Sequence, residues 1–403
     1  MRTIDGFDFS NKTVIVRTCL NSPYDEKTKR IELSERLVEG SKTIKELLKK
    51  NAKVVIIGHQ GKKGEPDFTN TQQHAIYLTK LVGKKIEYID DIIGEKSINK
   101  IKNLKPGEAI LLENVRFLDD ETVEKRPDEH KNSKIVKNLS PLAEAFVFDA
   151  FPDSHRSHAS TVGFIPVLPT FIGRYMEKEL NSLKRFTELP ERPSVLVIGG
   201  AKVDEPIDVA ENLLRLGKID KVLTGGLTGE LFLAADYYNL GKETMDIINK
   251  KCAEYIPRVQ DLLRKYRNKI ETPIDFAIKF KGKRKEVYLS DLPIDNQLMD
   301  IGKETVKKYI RILKKSNSVI IKGPMGVFEE KGFEIGTRKI FKAASNVKFS
   351  LLGGGHSTES LKKLHINKNK FTYVSLSGGA FIEYLSGKKL PVIEALENFS
   401  NKN

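Results

Sequence analysis

Two cysteines in 403 residues, Cys19 and Cys252, are too few for a disulfide framework and show no recurring metal-ligand spacing. They fit a reducing compartment. No stretch approaches the roughly 20 consecutive apolar residues of a membrane span. Residues 1–10 are polar where a secretory leader would carry its apolar run, so the expected location is the cytoplasm. The chain also lacks an arginine-rich tail, zinc-finger spacing and a continuous basic and aromatic stripe, which sets nucleic-acid binding aside despite a formal charge of +15. The Walker pattern is missing too. So is Gly-x-Gly-x-x-Gly with its matching acidic residue, which argues against a nicotinamide dehydrogenase.

What is present is 39% apolar residues in a chain too long for one core, so two domains of about 200 residues each are expected. The positive charge suits a cleft that attracts phosphorylated substrates, while runs such as Lys42, Lys45, Lys49 and Lys50 read as a solvated helix face. Glycines recur after short Val, Ile and Leu runs, as in α/β proteins. Segments 13–17, 52–57, 85–89, 109–112 and 145–148 read as strands. Segments 34–50 and 71–82 carry helical periodicity, Leu37, Ile44, Leu47 and Leu48 lining one face of the first. The order is that of a βαβ sheet. A linker helix over 174–186 stops before Pro190. A second alternation follows, with strands at 195–198, 221–223, 319–321, 349–352 and 373–376 and a helix near 207–216; 240–267 reads as two packed helices. The expected boundaries are 1–173 for an anion-binding domain, 174–193 for linker and hinge, and 194–376 for a nucleotide domain. Residues 377–403 either cap a domain or return across the hinge.

Arginine suits phosphate because its planar fork donates two parallel hydrogen bonds at fixed charge. Arg17, inside a strand, reads as a structural ion pair, whereas Arg36, Arg116 and Arg156 lie at strand-to-loop crossings and read as a shared anion site. His59 and His155 suit packing or phosphate contact better than zinc ligation. In the second half, Gly199-Gly200-Ala201-Lys202, Gly225-Gly226 and Gly353-Gly354-Gly355-His356-Ser357 each serve equally as a phosphate cradle or a helix-packing turn. Two ligands held on separate domains react only when the domains close and exclude water.

These segments together resemble the phosphoglycerate kinase family along essentially the whole chain. The resemblance rests on Leu111-Leu112-Glu113-Asn114-Val115-Arg116-Phe117, Asp149-Ala150-Phe151 with His155-Arg156, Gly199-Gly200-Ala201-Lys202-Val203, Gly323-Pro324-Met325-Gly326-Val327-Phe328-Glu329 and the glycine triplet ending at Gly355. Asn21-Ser22-Pro23 and Gly58-His59-Gln60-Gly61 resemble the archaeal branch. The resemblance implies two doubly wound α/β parallel-sheet domains joined by a linker helix, with residues 377–403 returning toward the first domain. It also implies a monomer that reversibly transfers phosphate between 1,3-bisphosphoglycerate plus ADP and 3-phosphoglycerate plus ATP. Magnesium is carried on the nucleotide, and no metal ligand of the chain, nucleic acid, membrane or obligatory protein partner is implied.

By the same resemblance, Cys19, Leu20, Asn21, Arg36, His59, Gln60, Gly61, Lys62, Arg116 and Arg156 meet the triose phosphate, and Arg36 and Lys202 act on the migrating phosphoryl group. Gly200, Lys202, Gly225, Gly226, Pro324, Glu329, Gly353, Gly354, Gly355, His356 and Ser357 surround the nucleotide. The chain departs from the family pattern at four of these positions or their neighbours. Cys19 stands for an aspartate, Lys62 for an arginine, Pro206 for a second phosphate lysine and His356 for a magnesium-associated aspartate. The alternative expectation is a catalytically weak member that binds nucleotide or serves as a scaffold.

Overall fold

A computed structural model describes residues 1–399, folded as two compact units. The first comprises Met1–Asn181 with the stretch from 389 onward, and the second Ser182–Lys388.

The first unit is built on six parallel strands. Their spatial order is Ile86–Ile89, Ala109–Leu112, Lys53–Ile57, Thr13–Thr18, Ala145–Asp149 and Thr170–Ile172. The central strand is buried throughout, which is why its sequence is a near-continuous apolar run rather than an alternation. The helix Glu35–Lys49 begins where the Ser34 hydroxyl accepts from the Leu37 amide at 3.2 Å. It presents Leu37, Ile44, Leu47 and Leu48 to a core shared with Val14, Val16, Val54 and Ile56. Each such buried side chain contributes about 2 kcal/mol of transfer free energy. Strand order reverses at Thr13–Thr18, so a crevice opens beyond the carboxyl ends of that strand and its neighbours.

The second unit has six parallel strands in the order Ile270–Glu271, Lys221–Thr224, Ser194–Ile198, Ser318–Lys322, Phe349–Gly353 and Tyr373–Val374. In sequence order this is 3-2-1-4-5-6, and its reversal lies between Ser194–Ile198 and Ser318–Lys322. Val195, Val197, Val319, Ile321, Tyr309 and Phe341 are among its core. The expected helix pair in 240–267 is Lys242–Lys251 and Ile256–Tyr266, with Pro257 in the first turn of the latter.

Several elements differ from the sequence reading. A three-stranded antiparallel sheet, with Asp275–Phe280 between Lys283–Tyr288 and Leu298–Ile301, and the two-residue strands Tyr24–Asp25 and Arg30–Ile31 were not expected. The linker helix runs Arg174–Thr187 and is divided between the units after Asn181. The C-terminal stretch joins the first unit from 389, not 377. The intervening helix Gly379–Leu385 packs on Asp204–Arg215 within the second unit, Asn212 Nδ2 donating to the Leu385 carbonyl at 2.8 Å. Among the described residues no helix is long and apolar enough to cross a membrane.

Candidate active site

In the first unit, four strand ends deliver polar residues to one cleft of about 850 Å³. Asn21, Tyr24, Gly61, Lys62, Arg116 and Arg156 are on its wall. Asn21 Oδ1 accepts from the Gly61 amide at 2.9 Å, and Arg116 donates to the Gly61 carbonyl. The loop after Lys53–Ile57 is thereby fixed between its neighbours. Asn114 adds to this by donating from one amide nitrogen to the Gln60 and Thr69 carbonyls, each at 2.8 Å.

Cys19, Leu20, His59 and Gln60 are buried and do not line the cleft. Gln60 is a clamp: its Oε1 accepts from the Ser22 amide at 2.9 Å, and its Nε2 donates to the Ser22 carbonyl at 3.1 Å. His59 faces Arg17, whose guanidinium donates to Asp153 Oδ2 at 3.0 Å and to Ser160 Oγ at 3.0 Å. Burial, then Arg17, Arg116 and Arg156, hold His59 well below its ordinary value, against the pull of Asp153. Burial also opposes ionisation of Asp153. Its neighbours His59, Arg17, Arg156 and Arg116 nevertheless hold that carboxyl well below the usual range. Arg17 is therefore an ion-pair partner in the wall. Arg36 is in the first turn of the helix Glu35–Lys49, not at a strand-to-loop crossing, and is not on the wall that Arg116 and Arg156 share. It lies beside Cys19, Tyr175 and Asp153 and hydrogen-bonds the Cys19 thiol, which burial pushes up to about 11.

Arg116 and Arg156 differ from Arg17. Among the described residues neither makes an ion pair, and burial followed by Arg156 pushes Arg116 down to about 10. Asp153 and Glu121 offset part of the repulsion between these two guanidiniums without pairing with either, so an anion entering the cleft would relieve the rest.

In the second unit the glycine turns converge at the carboxyl ends of the strands. A Cβ on Gly199 would stand 2.1 Å from the Pro324 carbonyl oxygen, and one on Gly323 2.0 Å from that of Gly199. The crevice at the strand-order reversal is thus backbone packed on backbone. Gly225 is held by Ile198, and the Gly226 amide donates to the Met325 carbonyl at 2.8 Å. Gly200, Gly226, Gly323 and Gly354 have positive φ, from 54° to 95°. Gly353 ends its strand, Gly354 precedes the helix Gly355–Lys363, and buried Ser357 accepts from the Gly323 amide at 2.8 Å. His356 and Glu329 are exposed. Lys202, also exposed, donates to Glu205 at 2.8 Å; Glu205 also takes Lys322 at 2.7 Å. These two lysines keep Glu205 ionised against its burial.

Glu205 and Lys322 were missed by the sequence reading, as was the Asp153, Ser160 and Glu121 network behind the first cleft. A cation directly before Gly323-Pro324, at the end of an apolar run, was the available signal for Lys322.

The sequence profile of the phosphoglycerate kinase family matches residues 4–388. The chain belongs to the phosphoglycerate kinase family. The phosphoglycerate kinase of Methanosarcina mazei is 41% identical over 402 residues, 99% of this chain and 96% of that protein. That of Pyrococcus horikoshii is 41% identical over 406 residues, covering 98% and 97%. Its crystal structure matches with a TM-score of 0.89 at 40% identity over all of both chains. The structure of phosphoglycerate kinase from Coxiella burnetii matches at 0.85 with 31% identity, over 98% of each. Phosphoglycerate kinases move a phosphoryl group reversibly between 1,3-bisphosphoglycerate and ADP, with magnesium arriving on the nucleotide as part of the substrate.

Proposed function

We propose that this member of the family holds the triose phosphate with Arg116, Arg156, Asn21, Gly61 and Lys62, and the nucleotide on the glycine turns of the second unit. The observation that carries this reading is the pair of guanidiniums, Arg116 and Arg156, without a carboxylate partner in the first cleft. In the direction of ATP formation, a β-phosphate oxygen of ADP attacks the acyl phosphate in line. The new P–O bond forms as the bond to the carboxylate oxygen breaks, and 3-phosphoglycerate leaves. No nucleophile of the chain is needed, and the contribution asked of it is position and charge. Arg36 and Lys202 are assigned to the migrating phosphoryl oxygens, Gly354, Gly355, His356 and Ser357 to the nucleotide phosphates at a helix start, Gly225, Gly226 and Pro324 to the border of the adenine, and Glu329 to the ribose. Cys19, Leu20, His59 and Gln60 support the triose-phosphate wall from behind. Cys19 and Cys252 are both free and buried, which supports the reducing cytoplasm as its location.

The test is a coupled assay of 1,3-bisphosphoglycerate formation from 3-phosphoglycerate and Mg-ATP, beside Arg116→Met and Arg36→Lys. Magnesium-dependent turnover is expected in the parent. Arg116→Met should raise the KM for 3-phosphoglycerate at least about tenfold by removing a charge-assisted contact. Arg36→Lys should lower kcat about a hundredfold at unchanged Tm, since an ammonium cannot reproduce the fork. A folded parent that binds both ligands without turnover would favour the scaffold reading. Unchanged kinetics in either variant would remove that residue from its role.

A further inference from the structure

Lys322 is the last residue of Ser318–Lys322, on one side of the reversal in strand order, and in register lies between Ile198 and Gly353. Ligands of open parallel sheets bind outside the carboxyl ends of such strands. Its side chain is only 12% exposed, and its Nζ sits under the glycine turn before Gly355–Lys363, 2.9 Å from where a Cβ of Gly354 would be. One carboxylate serves two ammoniums there: Glu205 Oε2 meets Lys322 at 2.7 Å and Glu205 Oε1 meets Lys202 at 2.8 Å. Asp204, the next carboxylate, makes no ion pair among the described residues, and Pro206 in the same helical turn supplies no charge.

We propose that Lys322 binds the nucleotide phosphates directly, and that Glu205 is a resident stand-in anion which those phosphates displace from Lys322 and Lys202. The inference rests on the reading of this unit as the nucleotide site and adds to it a cation and a counter-ion. A buried ammonium is costly without an anion, so an empty phosphate site needs one of its own. Glu205, on the first turn of the helix Asp204–Arg215, reaches both lysines from outside the glycine turns. Phosphate oxygens carry more charge than one carboxylate and also meet the amides at the start of Gly355–Lys363, so exchange is downhill once the nucleotide arrives.

The experiment is calorimetric titration of the full chain with Mg-ADP and with adenosine, for the parent, Lys322→Met and Glu205→Gln. Lys322→Met leaves Glu205 paired with Lys202, so no orphan charge is buried. The expected result is about tenfold weaker Mg-ADP binding in Lys322→Met with adenosine affinity unchanged, and tighter Mg-ADP binding in Glu205→Gln. Equal Mg-ADP affinity in Lys322→Met, or a parallel loss for adenosine, overturns the phosphate contact and leaves Lys322 a structural residue. Weaker Mg-ADP binding in Glu205→Gln overturns the stand-in role, and this arm remains decisive if Lys322→Met does not fold. A parent that binds neither adenosine nor Mg-ADP would instead overturn the nucleotide reading of the unit, a failure distinct from that of Lys322.

Discussion

Glu121 and Asp149 are carboxyl groups that the first unit withdraws almost completely from water. Burial pushes both up to about 7, despite the Ser160 hydrogen bonds on Glu121 and the Met176 amide on Asp149. Their ordinary values are 4.5 and 3.8, so between those values and about 7 the folded chain holds protons that the unfolded chain has released. Stability contributed by each group is therefore complete at low pH. It is lost as pH rises, by up to about 1.4 kcal/mol per pH unit per group. Glu121→Gln isolates one of the two, since its other costs do not vary with pH. The parent's advantage over the variant in urea denaturation should shrink between about pH 5 and pH 7.5. Parallel stability curves would show that Glu121 is not protonated in the folded chain.

At the scale of elements, the close approach of two turns shapes the crevice to which the nucleotide is assigned. Gly199→Ala places a methyl group against the Pro324 carbonyl, a backbone atom that cannot rotate aside. Overpacking of this kind should lower unfolding free energy by about 1–3 kcal/mol. Because the strain falls on the crevice, nucleotide affinity should also fall while the affinity for 3-phosphoglycerate holds. Denaturation and ligand titration check the two effects separately; loss of neither would mean that the turns separate freely.

The same elements show what the sequence made legible. Val195, Leu196, Val197 and Ile198 are apolar on both faces because parallel strands are covered on both sides, so that strand and its counterparts could be read directly. Lys283–Tyr288 could not: its pattern is mostly charged and half exposed, and its turn uses Lys281 and Gly282 at positive φ rather than the Asn-Gly or Asp-Gly pair that usually marks a hairpin. Arg116 and Arg156 were legible as residues of one cleft because each falls a few residues after a buried strand. The clamp made by Gln60 was not, since it rests on paired bonds to Ser22 on a different strand-end loop, which chain order keeps far from view. Lys322 was hidden for the opposite reason. It abuts an apolar strand and a Gly-Pro turn, where a lysine reads as an ordinary solvated end.

For the whole molecule, a formal charge of +15 sets the field that anionic substrates meet. Between about 0.05 and 0.3 M salt the screening length falls well below the size of either unit. kcat/KM for 3-phosphoglycerate should therefore drop several-fold on adding potassium chloride, with kcat nearly constant. A salt-independent kcat/KM would mean that only the local arginines, and not the overall charge, govern capture.

The first unit is interrupted in sequence: it breaks off after Asn181 and is resumed only at 389, by the helix Pro391–Phe399. There the Val392 amide donates to the Ser154 carbonyl at 3.2 Å, and Val392, Ala395 and Leu396 are buried. Chain order and the order in which the units can be completed therefore part company. The unit synthesised first must wait, nearly complete, until the last residues emerge, while the unit inserted into it holds all of its own residues in one stretch. A released chain truncated before Pro391 would carry a finished second unit and a first unit lacking the helix that seals it, so protease should cut the older half of the protein and spare the younger.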